Sequence, residues 1–477
     1  MLKAQIKSAV ILVGGKGTRL KELLDGKPKP LVPILGIPLL NYQINSLLRY
    51  GVSNFILLAN YKTNMIRDYM DSEFQGINFK IIDDGDVPLG NGGAIITHLK
   101  LLPETFFVIY GDTYFNVNFQ HFANYHNYKN ADITLFIHPN SHPFDSDIVI
   151  VDELCQVKQI RAYPHDENFF ASNLVNAALY VINKKSLNDP KIKKNKFYDL
   201  AKDLIPLLLQ AKKTIYSYKS KEYIKDCGTP KRLRKVTEDI ISNKTTLLEI
   251  QKKTPTIFID RDGTLIENIP HLNNISQIEL IPNSTNAIRK INDKGFLSVV
   301  ITNQPVIARG ELSLSGLKAI NDYIEWEFGK NGAYFDAIKF CPHHPHSGFE
   351  GEIEKLKINC NCRKPKIDLF KQIESELNID KSNSWMIGDS SSDIKAGDNF
   401  GIKSILVNTG FGGRDYKYFC RPDFQMNNIY DAVNFIFNDY EFIYDKLSTV
   451  NIDWKINNLF ISGISNSGKS TYASCLK

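Results

Sequence analysis

The chain has 477 residues, 43% of them hydrophobic and 23% charged, which is the composition of a globular protein too long for one ordinary core, so two or three domains are expected. Its +6 net charge is small for this size and its lysines are scattered apart from a solvated-looking cluster at residues 184–196, so neither nucleic acid nor a membrane is expected as a partner. No apolar run reaches ~18 residues, no signal peptide opens the chain, and seven cysteines without framework spacing fit the reducing cytoplasm.

In chain order, residues 8–13 form an apolar strand that runs into Gly14-Gly15-Lys16-Gly17-Thr18-Arg19-Leu20 and then Lys27-Pro28-Lys29-Pro30-Leu31. A glycine-rich loop after a strand brings backbone N–H groups of Gly14, Gly15, Gly17 and Thr18 against phosphate, and Arg19 and Lys29 can neutralise its charge. Further on come Leu89-Gly90-Asn91-Gly92-Gly93-Ala94, an apolar strand at 106–110 ending in Gly111-Asp112, and Lys225-Asp226-Cys227-Gly228-Thr229-Pro230.

This set, covering roughly residues 7–240, resembles the nucleotidyltransferases that join a nucleoside triphosphate to a sugar 1-phosphate, of the D-glycero-D-manno-heptose 1-phosphate guanylyltransferase type. The resemblance implies a Rossmann-like α/β domain at 1–245 with Arg19 and Lys29 as catalytic cations. It also implies that Gly92 lies in the base-contacting loop, that Asn176 is a substrate- or nucleotide-binding residue, and that Asp112 and Asp226 hold Mg²⁺ against the α-phosphate and the leaving pyrophosphate. Two departures stand out. Arg161-Ala162 occupy the place of the family's Glu-Lys, so that either Lys158 or Arg161 substitutes or this half is weakened. Asn176-Ala177-Ala178 replaces Asn-Ala-Gly.

Residues 231–253 read as a charged helix closing the first domain, with a second domain at 254–437. Its first strand, 257–259, stops at Asp260-Arg261-Asp262-Gly263-Thr264. A second apolar strand at 296–301 ends in Thr302-Asn303-Gln304; Arg363-Lys364-Pro365 follows, and a strand at 385–387 runs into Gly388-Asp389-Ser390-Ser391-Ser392-Asp393. Two acidic strand ends, a hydroxyl strand end and a lysine make a phosphate site at the edge where α/β sheets bind ligands. The four motifs resemble the haloacid dehalogenase (HAD) superfamily, within it the heptose bisphosphate and histidinol phosphatase group. The resemblance implies a doubly wound α/β phosphatase in which Asp260 is nucleophile, Asp262 general acid and base, Thr302 and Lys364 catalytic, and Asn303, Arg309 and Arg363 substrate contacts. Asp260, Asp262 and Asp389 are the expected Mg²⁺ ligands. Cys341, His343, Cys360 and Cys362 have the composition of a closed structural Zn²⁺ set that clips the loop before Lys364, with His344 and His346 as alternates.

After an aromatic-rich helical stretch at 429–447, a strand at 459–461 leads into Gly463-Ile464-Ser465-Asn466-Ser467-Gly468-Lys469-Ser470-Thr471, a Walker A loop in strand-to-helix context. Lys469 and Ser470 would bind nucleotide phosphates and their Mg²⁺, and 455–477 reads as the beginning of a truncated P-loop domain. The combined reading is a fused sugar-nucleotide enzyme acting on sugar phosphates and a nucleoside triphosphate, with Mg²⁺ in both active sites and structural Zn²⁺ in the phosphatase; oligomeric state is not legible. The competing reading is a histidinol-phosphate-type phosphatase fused to a non-catalytic sugar-nucleotide-binding module.

Overall fold

The structure is a computed structural model that describes residues 5–85 and 88–440. The Walker A residues Lys469 and Ser470, and everything expected of 455–477, lie outside the described residues. The chain divides into two α/β units at Lys252/Lys253.

The first unit is built on a nine-stranded sheet whose centre is parallel, with Ser8–Leu12 between Asn54–Ala59 and Thr105–Tyr110. Successive residues of these strands are apolar because both faces are covered: Ile11 and Phe107 face one core with Phe122 and Leu179, while Val10 and Val108 face another with Ile182 and Leu204. Fully burying such side chains contributes about 1.5–3 kcal/mol each. Beyond Thr105–Tyr110 the sheet turns antiparallel through Val175–Asn183, which pairs with Ile133–His138 and touches Ile148–Val151, itself paired with Val157–Arg161. A separate two-stranded ribbon pairs Thr113–Asn116 with Tyr223–Asp226 and sets Asp226 opposite Thr113, next to Asp112.

Register shifts inside Val175–Asn183 between Asn176 and Tyr180, and Ala178 there has φ 56°. The backbone thus takes the left-handed turn that the expected glycine would have made without steric cost. The charged segment after Asp226 is not one helix. Thr229 caps helix Pro230–Ile241, Asn243 breaks it at φ 59°, and a single turn, Lys244–Leu247, follows. Asn243 tolerates the left-handed region that most residues avoid, which is why charge pattern alone overestimates the helix.

The second unit holds a six-stranded parallel sheet in the order Ala337–Cys341, Leu297–Asn303, Thr256–Ile259, Trp385–Gly388, Lys403–Val407, Phe424–Met426. Counting its strands in chain order, this is 3-2-1-4-5-6, so the order reverses between Thr256–Ile259 and Trp385–Gly388, and a crevice opens beyond their carboxyl ends. The aromatic-rich stretch is helical as Ile429–Asn434 and continues as a wider turn over Phe435–Tyr440; Ile429, Ala432, Phe435 and Ile436 are buried in this unit's core.

Candidate active sites

In the second unit, Asp260 and Asp389 are the first residues past the two strands that flank the reversal. The Asp260 N–H donates to Ile387 O at 2.9 Å, which fixes its backbone, and Lys364 Nζ reaches its carboxylate at 2.7 Å and Ile301 O at 2.6 Å. Lys364 is also 2.6 Å from Asp393, whose other oxygen accepts from Ser390 N–H at 3.0 Å and Ser390 Oγ at 2.6 Å. Burial together with the charges of Asp393 and Asp262 pushes Asp260 up to about 7 against the pull of Lys364, and burial beside Asp260 and Asp393 pushes Asp389 up to about 8. Burial opposes the charge on Lys364, but Asp260 and Asp393 outweigh it and hold the ammonium at about 12.

Carboxylate oxygens of Asp260, Asp389 and Asp393 lie within 4.8 Å of one another. Three hard oxygen donors crowded against each other in a buried crevice fit a divalent cation such as Mg²⁺. Asp262, expected from the sequence as a metal ligand, contributes no carboxylate oxygen to this group. Past the strand the chain turns at Gly263 (φ 79°), and Arg261 Nη2 at 3.0 Å, Gln304 Nε2 at 2.7 Å and Thr302 Oγ1 at 3.3 Å draw the Asp262 carboxylate aside. Asp262 lines the cavity, and Asp393, in the first turn of helix Ser391–Phe400, is the third carboxylate of the group. Sequence reasoning missed Asp393 because a carboxylate there also reads as a helix-capping partner, and it does make a capping box with Ser390.

Asp260, Asp262, Thr302, Asn303, Arg309, Arg363, Lys364 and Asp389 line one cavity of about 320 Å³. Asn303 clamps the motif lysine by its backbone, giving Nδ2–H to Lys364 O at 3.2 Å and taking Lys364 N–H at 3.0 Å. The closeness of the walls is set by Gly263 and Gly410: a Cβ built on either would fall inside the Asp389 carboxylate.

Beside this cavity Cys341, His343, Cys360 and Cys362 come together. The Cys362 sulfur is 3.2 Å from Cys341, 3.3 Å from Cys360 and 3.2 Å from His343 Nδ1. These spacings approach the roughly 3.8 Å edge of a tetrahedron with ~2.3 Å bonds, and three thiols with one imidazole suit Zn²⁺. His344 and His346 are turned to each other instead, with His344 Nδ1 3.0 Å from His346 O.

In the first unit, Gly14, Gly15, Lys16, Lys29 and Asp112 line a cavity of about 430 Å³ together with Asn60, Asp84, Leu89, Gly90 and Asn91. Lys29 Nζ is paired with Asp112. Asp226 takes the Gly228 N–H at 2.7 Å, and Cys227 N–H donates to the backbone carbonyl of Asp112 at 2.7 Å, which ties the two segments together, although Asp226 itself is not part of the cavity wall. Gly228 is where the cations converge: a Cβ there would lie 3.2 Å from Lys29 Nζ and 3.3 Å from Arg19 Nη2. Gly17 has φ 66° and its carbonyl accepts Leu20 N–H at 2.9 Å; Thr18 and Arg19 are exposed and, with Gly17, lie outside the cavity wall.

Gly92 is absent from the cavity wall, where Gly90 (φ 70°) stands instead. Gly92 and Gly93 both donate to Tyr198 O, at 2.9 and 3.1 Å, and lack side chains so that their helix can press on the 198–204 segment. Asn176 Nδ2–H donates to Tyr180 OH at 2.7 Å. Lys158 is tied to Asp152 at 2.7 Å, while Arg161, three residues on, pairs in register with Ile148, the strand residue that also meets Val175 next to Asn176.

Residues 8–243 match the family of nucleotidyl transferases, and residues 361–432 match HAD-hydrolase-like proteins. A D-glycero-beta-D-manno-heptose-1,7-bisphosphate 7-phosphatase of Haemophilus ducreyi is 34% identical over 184 residues, 38% of this chain and 97% of the relative. The Pasteurella multocida protein of the same description is 39% identical over 155 residues, 32% of this chain and 82% of the relative. The crystal structure of HddC from Yersinia pseudotuberculosis aligns with TM-score 0.43 and 27% identity over 49% of this chain and all of that one. The polypeptide thus unites nucleotidyltransferase and phosphatase on one chain and, by its second unit, belongs to the D-glycero-β-D-manno-heptose-1,7-bisphosphate 7-phosphatase family.

Proposed function

We propose that the chain removes one phosphate from a sugar bisphosphate, D-glycero-D-manno-heptose 1,7-bisphosphate, and then transfers GMP from GTP to the remaining 1-phosphate. The observation that carries this is the pairing of two phosphorus-handling centres on one polypeptide: Asp260 with Lys364 and Asp389, and Asp112 with Asp226 and Lys29. In the phosphatase centre an Asp260 oxygen attacks phosphorus and the ester P–O bond breaks, while Asp262 gives its proton to the departing sugar oxygen. Asp262 then takes a proton from water as the water attacks the aspartyl phosphate, which returns both carboxylates to their starting state. Asp260, Asp389 and Asp393 would hold Mg²⁺, which would supply charge neutralisation on the phosphoryl oxygens. Lys364 keeps Asp260 aligned, and Arg309 and Arg363 on the cavity wall meet the phosphate that stays.

In the transferase centre the sugar phosphate oxygen attacks the α-phosphorus and pyrophosphate leaves, a displacement that needs alignment and charge stabilisation and no covalent intermediate. Asp112 and Asp226 would hold Mg²⁺, and Arg19 and Lys29 converge at Gly228 beside them. The GTP reading is supported by Asp84, which lines the nucleotide cavity and is raised by burial, with one oxygen taken by His98 at 2.9 Å. An acceptor there favours a base edge that offers N–H groups, as guanine does twice. Two activities in sequence on one chain raise the local concentration of the shared intermediate. The cytoplasm is the compartment this chemistry suits; among the described residues no helix is long and apolar enough to cross a membrane. The test is a screen of the full chain with sugar bisphosphates and each nucleoside triphosphate, following phosphate and pyrophosphate. Phosphate release from the heptose bisphosphate followed by GTP-dependent pyrophosphate release is expected; pyrophosphate with another base alone would overturn the GTP assignment.

A further inference from the structure

Arg232 is the third residue of helix Pro230–Ile241, where the field of the helix N-terminus works against a cation. Its position is nevertheless set firmly: Thr229 caps the helix by accepting the Arg232 N–H at 3.3 Å, and Pro230 opens it. The guanidinium curls back and forks. Nη1 donates to Asp226 Oδ2 at 2.6 Å, and Nη2 donates to Asp145 Oδ2 at 3.1 Å and lies 3.5 Å from His142 Nδ1. Asp145 is joined to His142 at 2.7 Å, which braces the far arm.

The segment that Arg232 grips continues directly into the opposite side of the transferase centre. Two residues after Asp145, Asp147 O accepts the Asn176 N–H at 3.0 Å and its carboxylate accepts the Tyr163 N–H at 2.9 Å. Asn176 and the 161–163 strand end are where the sugar phosphate is expected, and Ala162 stands there in place of a lysine. A single guanidinium therefore links Asp226, the expected metal ligand, to the loop on the side where the sugar phosphate is expected. A solvated ion pair alone would contribute little. The planar fork gives geometry instead, and an ammonium cannot reproduce both arms.

We propose that Arg232 is a positioning residue of the transferase site, aiming Asp226 for its metal ion with one arm and holding the His142–Asp147 loop in the shape that receives the sugar phosphate with the other. The proposal rests on the transferase reading given above. It is tested on the full chain by Mn²⁺ titration followed by electron paramagnetic resonance without substrates, where the difference from Asp226→Ala isolates the transferase ion, and by separate KM values for acceptor and nucleotide. Arg232→Ala is expected to weaken Mn²⁺ binding about 10-fold and raise the acceptor KM by a similar factor, with the nucleotide KM within about twofold at saturating metal. Arg232→Lys should restore Mn²⁺ affinity through the single contact to Asp226 yet keep the raised acceptor KM. Asp145→Ala, which leaves the Asp226 contact in place, should raise only the acceptor KM, and it carries the test should Arg232→Ala not fold. Unchanged Mn²⁺ affinity and acceptor KM in a folded Arg232→Ala protein would overturn the proposal, as would a normal acceptor KM in Asp145→Ala. If the unsubstituted chain released no pyrophosphate with any substrate pair, the transferase reading would fall and this role with it; an active parent with an indifferent Arg232→Ala removes the Arg232 role alone.

Discussion

Lys364 Nζ lies 2.7 Å from Asp260 and 2.6 Å from Asp393, so one buried ammonium is shared between two buried carboxylates. Removing it would leave those charges unpaired in a crevice that already raises Asp260 and Asp389. Lys364→Met is expected to destabilise the second unit by about 3–5 kcal/mol, and adding Asp393→Asn should recover part of that loss. Chemical denaturation of the single and double variants measures both effects.

Asp260→Asn removes the attacking oxygen while keeping shape and hydrogen bonding. Phosphate release should fall at least ~10³-fold with pyrophosphate release within about twofold of the parent, and Asp112→Ala should give the reverse pattern. Loss of both activities in either folded variant would contradict two centres working separately.

The thiol and imidazole cluster ends two residues before Lys364, and Gln304, which holds Asp262, donates its backbone N–H to Cys341 O at 2.8 Å. Stripping zinc with a chelator should therefore cost the second unit about 3 kcal/mol or more, roughly 6–12 °C for a unit of this size, and lower phosphatase activity before it lowers nucleotidyl transfer. Differential scanning calorimetry with metal analysis tests this, and full stability in a zinc-free protein would refute the clip.

Ala178 holds φ 56° at the shifted register of its strand. Ala178→Gly should stabilise the first unit by about 0.5–1 kcal/mol, because relief of the left-handed strain exceeds the added freedom of the unfolded chain. An equilibrium denaturation midpoint below that of the parent would show that the turn is not strained.

Glu222 is buried and accepts Asn118 N–H at 2.7 Å and Ser220 Oγ–H at 2.9 Å; burial pushes it up to about 7. An acid raised in the folded state binds its proton more tightly there than when unfolded. Its contribution is complete below the unfolded value near 4.5 and is lost as pH rises through about 7, a change of up to ~3 kcal/mol. Glu222→Gln should flatten this decline between pH 5 and 8 in the unfolding transition of the first unit.

Much of both centres was legible because their residues close apolar strands. Asp260, Thr302 and Asp389 each follow a hydrophobic run, and the parallel sheet then brings those strand ends to one edge. What stayed hidden was decided by neighbours distant in sequence. Asp393 and Arg232 both sit in first helical turns, where a carboxylate reads as a cap and an arginine within a charged run reads as solvated. Gly92 and Gly90 look alike in sequence and both press on Tyr198, yet only Gly90 holds a positive φ and lines the first unit's cavity. That the Asp393 carboxylate, and not that of Asp262, gathers with Asp260 and Asp389 goes with the bonds of Arg261 and Gln304 to Asp262, which no spacing rule contains.

Gly263 and Gly410 approach Asp389 so closely that neither admits even a methyl group. Gly263 is buried and Gly410 exposed, and both hold positive φ (79° and 57°), so Gly263→Ala or Gly410→Ala should displace the Asp389 carboxylate and cut phosphate release while nucleotidyl transfer persists. The room that one carboxylate occupies thus holds two positions, one inside the unit and one at its surface, to glycine.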